Sequence, residues 1–166
     1  MATSPATMAL ITAQFPQSKV TEFRGQTRLV IAREQMSAAF ERLRHACGFD
    51  MLVDLTCVDY LNYRGASQRF GLVYLFCNTV TAERLTVRVM LDEDALTVPS
   101  AVPVWEAANW MEREVWDLFG ISFEGHPDLR RILLPEEFSA HPLRKDYPLQ
   151  GRGERHNFPT LRRAEA

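Results

Sequence analysis

The sequence predicts an α+β fold, with a small mixed or antiparallel four-stranded sheet flanked by helices and followed by an extended proline-rich C-terminal arm. Three observations predict it. Four short apolar runs alternate with polar turn segments, two segments show clear helical periodicity, and five of the nine prolines lie after residue 125. We therefore predict an α/β domain over residues 1–125 and a docking arm over residues 126–166.

The four strands are predicted from their apolar runs. The first, residues 27–32, is short and β-branched. The others are residues 51–58, 70–77 and 85–91, and in the last of them leucine and valine alternate with mostly polar residues, so one face should meet a core. The link over residues 78–83 is short enough for an antiparallel hairpin.

Helix start and stop signals predict one helix, and helical spacing predicts two more. Residues 8–15 follow Ser4 and Pro5, which suit a helix start, and end before Pro16. Residues 36–47 repeat apolar side chains at helical spacing and end before a glycine. Residues 104–119 place seven apolar side chains within about 120° of arc, so this stripe should pack on the sheet.

The rest of the 104–119 helix divides into charged and aromatic positions. Arg113 and Asp117 lie opposite the apolar stripe, at the i, i+4 spacing of a surface ion pair. Trp105 and Trp116 extend the apolar surface beyond what one sheet contact needs. Both tryptophans are candidate contacts to a partner, and the alternative is a well-packed core helix with solvated charges.

The predicted arm, residues 126–166, has no long periodic stretch, and proline prevents regular helix or central strand there. It is nevertheless richer in large apolar side chains than a disordered linker. We interpret it as a segment that lies on an apolar surface. The surface of a partner is favoured over the surface of its own small domain. Leu143, Tyr147 and Phe158 are its candidate partner contacts.

Composition excludes several classes of partner and site. The net charge of -2 gives no reason to expect nucleic acid. Three widely separated cysteines indicate core thiols rather than disulfides or a cluster. We expect neither a signal peptide nor a membrane-spanning segment, because no window approaches ~20 apolar residues. Contact with a membrane should therefore be indirect, through a partner.

The parts of an enzyme are missing from the sequence. It has no phosphate-binding loop, and its Gly151-Arg-Gly153 lacks the third glycine of a dinucleotide fingerprint. Its four histidines are scattered without the i, i+4 spacing of a zinc site. Helical carboxylates at this spacing are usually ion-paired rather than catalytic. We therefore predict no catalytic, cofactor-binding or metal-binding residues.

One spacing pattern is specific: Glu112-Arg113-Glu114, then Asp117-Leu118-Phe119, His126, Arg130 and Ile132-Leu133. It resembles the signature of the respiratory complex I 30-kDa subunit family, known in bacteria as the C subunit of NADH:quinone oxidoreductase. The stretches 126–135 and 141–149 are similar to the same family, so the resemblance is specific over residues 112–149. The pattern over residues 52–60 resembles the family's α/β domain more weakly.

This resemblance implies a non-catalytic structural subunit on the peripheral arm of a proton-translocating NADH:quinone oxidoreductase of the respiratory chain. FMN, iron–sulfur clusters and quinone would then be bound by partner subunits. The chief partner would be a separate 49-kDa-type quinone-side subunit. The implied location is the cytoplasmic side of a bacterial inner membrane, as a peripheral protein.

The charged signature residues suggest a physical role. Their guanidinium groups are suited to bidentate pairing with the signature carboxylates. We hypothesise that these groups fix the direction in which the C-terminal arm leaves the helix, against the alternative of independent surface pairs worth ~0–1 kcal/mol each. The residues are Glu112, Arg113, Glu114, Asp117, His126, Arg130, Arg131 and Arg144.

Two other interpretations stay open at this point. The same signature occurs in related subunits of membrane-bound hydrogenases and formate hydrogenlyases, although residues 151–158 resemble the NADH enzyme's subunit more closely. An independent protein-binding module would explain the apolar, proline-rich arm equally well on physical grounds. A stand-alone enzyme is the weakest hypothesis, because no group of residues supports it.

Overall fold

The computed structural model describes residues 3–157, apart from the side chains of Arg155 and Asn157. Short 3-10 helices lie at Arg33–Gln35 and Glu154–Asn157. The other elements, in chain order, are α1 (Pro5–Gln14), β1 (Lys19–Phe23), β2 (Gln26–Ile31), α2 (Met36–His45), β3 (Met51–Asp59), β4 (Phe70–Cys77), β5 (Arg84–Leu91), β6 (Thr97–Pro99), α3 (Ala108–Phe119) and β7 (Ser122–Glu124).

The main sheet has five strands in the order β1-β2-β5-β4-β3. Strands β2 and β5 are parallel and the other neighbours are antiparallel, so the sheet is mixed. A small parallel pair, β6 and β7, lies beside it. The predicted α+β class is confirmed, and so is the β4–β5 hairpin. The boundary between a domain and an arm at residue 125 stays a prediction.

The predicted four-strand count is wrong, because β1 adds a fifth strand at the edge of the sheet. Four of its five residues are exposed, so the run carries no alternation of apolar and polar side chains. Its place is set by antiparallel pairing with β2. Strands β6 and β7 were also not predicted, since three residues are too few for a periodic pattern.

One face of the sheet, here called the inner face, packs against α2 and α3. Phe40 of α2 contacts Tyr74 and Phe76 of β4, with ring centroids 5.0 and 6.1 Å apart. Ser4 is the N-cap of helix α1, because its side chain accepts a hydrogen bond from the Thr7 amide. Within residues 3–157, none of the helices has the length and apolar character that crossing a membrane requires.

Helix α3 begins at Ala108 and not at residue 104, because the preceding residues form tight turns closed on the carbonyl of Ala101. Trp105 is in these turns and is 3% exposed. Its Nε1 donates to the Phe49 carbonyl at 3.2 Å, and its ring lies 4.6 Å from that of Phe76. Trp105 is therefore a core residue, and its prediction as a partner contact is wrong.

Candidate functional site

Helix α3 makes the central contact with the predicted arm through the carboxylate of Asp117. This side chain is fully buried, and it accepts hydrogen bonds from the amides of residues 132, 133 and 134 at 3.1, 2.9 and 2.9 Å. It also accepts from Nη1 of Arg131 at 2.5 Å. Burial alone would raise the pKa of Asp117, but these hydrogen bonds outweigh it and hold the pKa below its usual value.

Arg113 does not pair with Asp117, contrary to the sequence-based prediction. Its Nε and Nη2 donate instead to the carbonyls of Arg130 and Arg131, each at 3.2 Å. The guanidinium also lies 5.1 Å from the ring centre of Trp110. Arg113 is 7% exposed, because residues 130–134 cover the helix face that the sequence pattern assigned to solvent.

Glu112 is fully buried, although the pattern placed it at the margin of the apolar stripe. Its two oxygens accept from Ser100 Oγ and from the Ala101 amide, each at 2.6 Å. Burial raises the pKa of Glu112 to about 7, against these two hydrogen bonds. The carboxylate thus fastens α3 to the turn that follows β6, and no arginine among the described residues pairs with it.

The remaining signature charges differ in burial. Glu114 is exposed on α3. Arg130 is 68% exposed and pairs with Asp128 at 2.9 Å. Of the arginine–carboxylate pairs hypothesised from the sequence, the part of the chain that the structure describes contains one, between Arg131 and Asp117.

Both ends of α3 are held by residues of the predicted arm. At the first turn, His126 Nδ1 accepts from the Asp128 amide, so Nε2 is the nitrogen that donates to the Asn109 carbonyl at 3.1 Å. At the last turn, Arg144 Nε donates to the Phe119 carbonyl at 2.6 Å and the Leu143 amide donates to the Leu118 carbonyl at 3.1 Å. The contacts at the last turn satisfy carbonyls that the C-terminal end of a helix leaves without partners. The His126 contact adds a second hydrogen bond at a first-turn carbonyl.

Gly120 ends α3 in the left-handed region, with φ of 75°, and the arm packs directly against it. A Cβ at this position would lie 2.6 Å from the ring of His141 and 2.8 Å from Arg144 Nη2. Gly125 has a similar φ of 81° but has open space around it. The two glycines therefore share a backbone requirement and differ in the room for a side chain.

We expect Gly120→Ala to lower the free energy of unfolding by about 1–3 kcal/mol more than Gly125→Ala does. Both variants suffer the strain of a side chain at positive φ, about 1–2 kcal/mol. Only Gly120→Ala also forces the arm away from the helix end, an overpacking cost of about 1–3 kcal/mol. Urea unfolding of the two variants measures the difference, and equal midpoints would mean that the arm does not press on Gly120.

The predictions missed a second anchor for the arm, the carboxylate of Asp59 at the end of β3. Asp59 is 4% exposed and accepts from Arg69 Nη2 at 3.1 Å and from the Lys145 amide at 2.8 Å. Arg69 reaches the arm as well, through Asp146 at 2.9 Å. The sequence did contain a signal for this anchor. Asp59 follows Leu55 and Cys57 at every second position of β3, so its side chain faces the core, and a charged group in the core needs a partner.

The other predicted partner contacts have different surroundings. Trp116 is half-buried beneath the guanidinium of Arg131, 5.7 Å from its ring centre. Tyr147 is half-buried against Phe138, with ring centroids 6.0 Å apart. Leu143 is 51% exposed. Phe158 lies outside the described residues.

Further large apolar side chains are exposed beside these positions. Leu133, between the anchored amides of residues 132 and 134, is 60% exposed, and Leu149 is fully exposed. Trp110, under Arg113, is 62% exposed. The anchored arm and the adjoining edge of α3 therefore present apolar groups outward. Within residues 3–157, no group of three or more His, Cys, Asp or Glu is placed to hold a metal ion.

Comparison with known proteins identifies close relatives. A family model described as the 30-kDa subunit of respiratory-chain NADH dehydrogenase matches residues 29–153. The C subunit of the NADH-quinone oxidoreductase of Trichlorobacter lovleyi is 45% identical over 135 residues, covering 81% of this chain and 82% of that protein. Its counterpart from Acidithiobacillus ferrooxidans is 49% identical over 133 residues, covering 77% of this chain and 66% of that protein.

Solved structures share the fold, including the following two. The trypsin-resistant fragment of Nqo5 superposes with a TM-score of 0.68 at 34% identity, covering 75% of this chain and 98% of the fragment. A chain of the membrane-bound sulfane sulfur reductase, an archaeal respiratory membrane complex, superposes with a TM-score of 0.72 at 23% identity. The match covers 87% of this chain and 85% of that one, and it is a likeness of fold alone. With the family match over residues 29–153, these findings show that the chain belongs to the 30-kDa subunit family of respiratory-chain NADH dehydrogenases.

Proposed function

We propose that this chain is a non-catalytic structural subunit of a proton-translocating NADH:quinone oxidoreductase. In this role it supports the electron transfer from NADH to quinone that the whole complex performs. It binds no cofactor itself, while FMN, iron–sulfur clusters and quinone are bound by other subunits. Its place is the peripheral arm of the complex, on the cytoplasmic side of a bacterial inner membrane, and it meets the membrane only through its partners.

The observation that carries this proposal is the way the C-terminal arm is held. Two buried carboxylates, Asp117 and Asp59, bind main-chain amides of residues 132–134 and 145. An arm fixed in this way presents Leu133, Leu143 and Leu149 outward in the absence of any partner, so little conformational entropy is left to lose on docking. Exposed leucines on an ordered segment are typical of an assembly surface.

The environment of the carboxylates supports a structural rather than a catalytic role. Glu112, Asp117 and Asp59 are all buried, and each accepts hydrogen bonds from main-chain amides within its own fold. A general acid or base must reach a substrate proton within about 3 Å. Asp117 and Asp59 join the domain to the arm, and Glu112 joins α3 to the turn after β6.

We propose a separate 49-kDa-type quinone-side subunit as the chief partner. The exposed side chains of the arm and Trp110 form the surface that would meet it. Besides these apolar side chains, the arm exposes charged residues such as Arg130 and Asp128, 68% and 54% exposed. A buried apolar centre with a polar rim is the usual anatomy of an interface between subunits.

We expect Arg113→Ala to weaken both folding and assembly. Arg113 makes two charge-assisted hydrogen bonds to arm carbonyls, so its loss should lower the free energy of unfolding by about 2–3 kcal/mol. The matched control is Arg130→Ala, which removes an exposed ion pair worth ~0–1 kcal/mol. Urea unfolding and the amount of tagged chain in the assembled complex are the two measurements. Unchanged values for Arg113→Ala would contradict the proposed anchoring role.

The proposed function is tested by native-gel electrophoresis of gently solubilised membranes that contain the tagged chain. In-gel assays for NADH dehydrogenase and for hydrogenase activity identify the complex. Co-migration with a large NADH-active band is the expected result. Co-migration with a hydrogenase-active band would assign the chain to a different machine, and recovery only as a small species would contradict the assembly role.

A further inference from the structure

The face of the sheet opposite α2 and α3, here called the outer face, lacks a cover of helices. Most side chains on this face keep part of their exposure even on the central strands, with Thr86 as a buried exception, whereas nearly every inner-facing neighbour is buried. The loop after β3 covers one end, where Tyr60 lies against Gly71. The half-buried apolar side chains of this face are Val30, Val73, Leu75 and Met90.

Two arginines project from the middle of the outer face. Arg88 of β5 is paired in register with Val30 of β2 and with Val73 of β4. Arg28 lies two residues before Val30, so the two arginines are diagonal neighbours on adjacent strands. Both are half-buried.

Neither arginine finds an acceptor in residues 3–157. Arg28 stacks on the ring of Phe23, 4.3 Å from its centre, and Arg88 Nε is buried without a hydrogen-bond partner. A guanidinium in such surroundings ordinarily binds a carboxylate or carbonyl. The other arginines of the described chain that are at least half-buried all donate to one, namely Arg33, Arg44, Arg69, Arg113, Arg131 and Arg144.

The charge of the outer face is asymmetric. Lys19 and Arg84 are exposed on the same face as Arg28 and Arg88, as the strand registers show. Asp54, on the edge strand β3, is the acidic side chain in register with this face. Asp92 and Glu34 line a cavity together with Lys19, Val30 and Met90, so they also lie at the margin of this face. Among the described strand residues, the middle of the face has Arg28 and Arg88 beside apolar side chains and no carboxylate. It is therefore complementary to an apolar surface that carries carboxylates.

We propose that the outer face is a second docking surface, which binds an acidic, partly apolar segment of another protein subunit, with carboxylates received by Arg28 and Arg88. The inference rests on the proposed function, since the partner is a subunit of the same complex. The chain would then bridge two neighbours, one on the C-terminal arm and one on the sheet. A protein fits better than an anionic membrane, because the half-buried guanidinium groups need acceptors that reach between side chains and Asp54 would repel lipid phosphates.

The first test is charge reversal at one position, measured in the native-gel assay. We expect Arg88→Glu to reduce the tagged chain in the complex roughly tenfold or more, because like charges then face each other across the interface. Arg64→Glu, at an exposed loop position, is the matched control and should leave the amount unchanged. Equal incorporation of the two variants would overturn the second surface while leaving the proposed function standing.

The second test needs no destabilising change and so separates docking from folding. A photo-reactive benzoylphenylalanine replaces Thr56, an exposed residue in register with Val73, and Ala13 on the exposed side of α1 serves as control. After irradiation of the assembled complex, mass spectrometry should identify a peptide rich in Asp and Glu from another subunit at Thr56 but not at Ala13. A cross-link to lipid, to a second copy of this chain or to a basic peptide, or no cross-link at all, would overturn the proposal. If the unaltered chain does not enter any complex, that result contradicts the proposed function itself, independently of the second docking surface.

Discussion

Replacing Asp117 by alanine is expected to release residues 131–134 from α3 and to lower the free energy of unfolding by about 3–5 kcal/mol, the cost of breaking a buried charge pair. The change leaves three main-chain amides without their acceptor and removes the carboxylate that pairs with the Arg131 guanidinium. Urea unfolding measures the loss. Hydrogen exchange should show that the amides of residues 132–134 lose protection.

A control variant and a pH dependence test this prediction further. Glu114→Ala, three residues away and exposed, is the matched control and should change stability by no more than about 0.5 kcal/mol. The pKa of Asp117 is lowered in the folded state, so its contribution is present above the unfolded pKa and is lost as pH falls through the folded pKa. The acid-induced loss of stability should therefore be smaller in Asp117→Ala. Amides 132–134 that stayed protected would contradict the anchoring role.

Replacing Glu112 by glutamine is expected to stabilise the protein at pH 8, by up to about 3 kcal/mol. Burial raises the pKa of Glu112 from 4.5 to about 7, and each pKa unit corresponds to about 1.4 kcal/mol. The folded state therefore binds more protons than the unfolded state between pH 4.5 and 7. In that window the free energy of unfolding falls as pH rises. The stabilisation from the bound proton is fully present below pH 4.5 and is lost as pH rises to 7.

Glutamine has the shape of the protonated carboxyl and can keep both contacts, to Ser100 Oγ and to the Ala101 amide. Urea midpoints at pH 5 and pH 8 should differ for the natural chain and converge for Glu112→Gln. Glu114→Gln provides the control, since its side chain is exposed. A Glu112→Gln variant less stable than the natural chain at pH 8 would show that the buried carboxylate is stabilised as an anion.

Much of the fold could be predicted from local patterns, and the exceptions have physical causes. Strands β3, β4 and β5 have long apolar runs, and their predicted limits are within one residue of the observed ones. Strand β1 has no such run, because its place depends on pairing with β2 rather than on burial. The start of α3 was misplaced since Trp105 is apolar at helical spacing but belongs to a turn.

The sequence analysis named residues of the candidate site but did not predict their contacts. Arg113, Asp117 and Arg131 lie where α3 meets the arm, whereas Glu114 and Arg130 are exposed and Glu112 contacts the turn after β6. The role of these residues in orienting the arm stays a prediction. Helical periodicity placed Arg113 and Asp117 on the solvent side, and that inference assumed that nothing further along the chain would cover this side. Contacts between residues 15–18 positions apart decide their burial, such as those from Asp117 to residues 132–134. No pattern within one helix carries that information.

The mode of recognition by Asp117 has a consequence for sequence variation in the arm. Its carboxylate binds three successive main-chain amides and none of the side chains at residues 132–134. Every amino acid except proline supplies such an amide. The anchor therefore sets no requirement on the side chains at these three positions, and Leu133, the exposed one, can change with the surface of a neighbour while the path of the backbone stays the same. Proline is the one residue that the anchor forbids there.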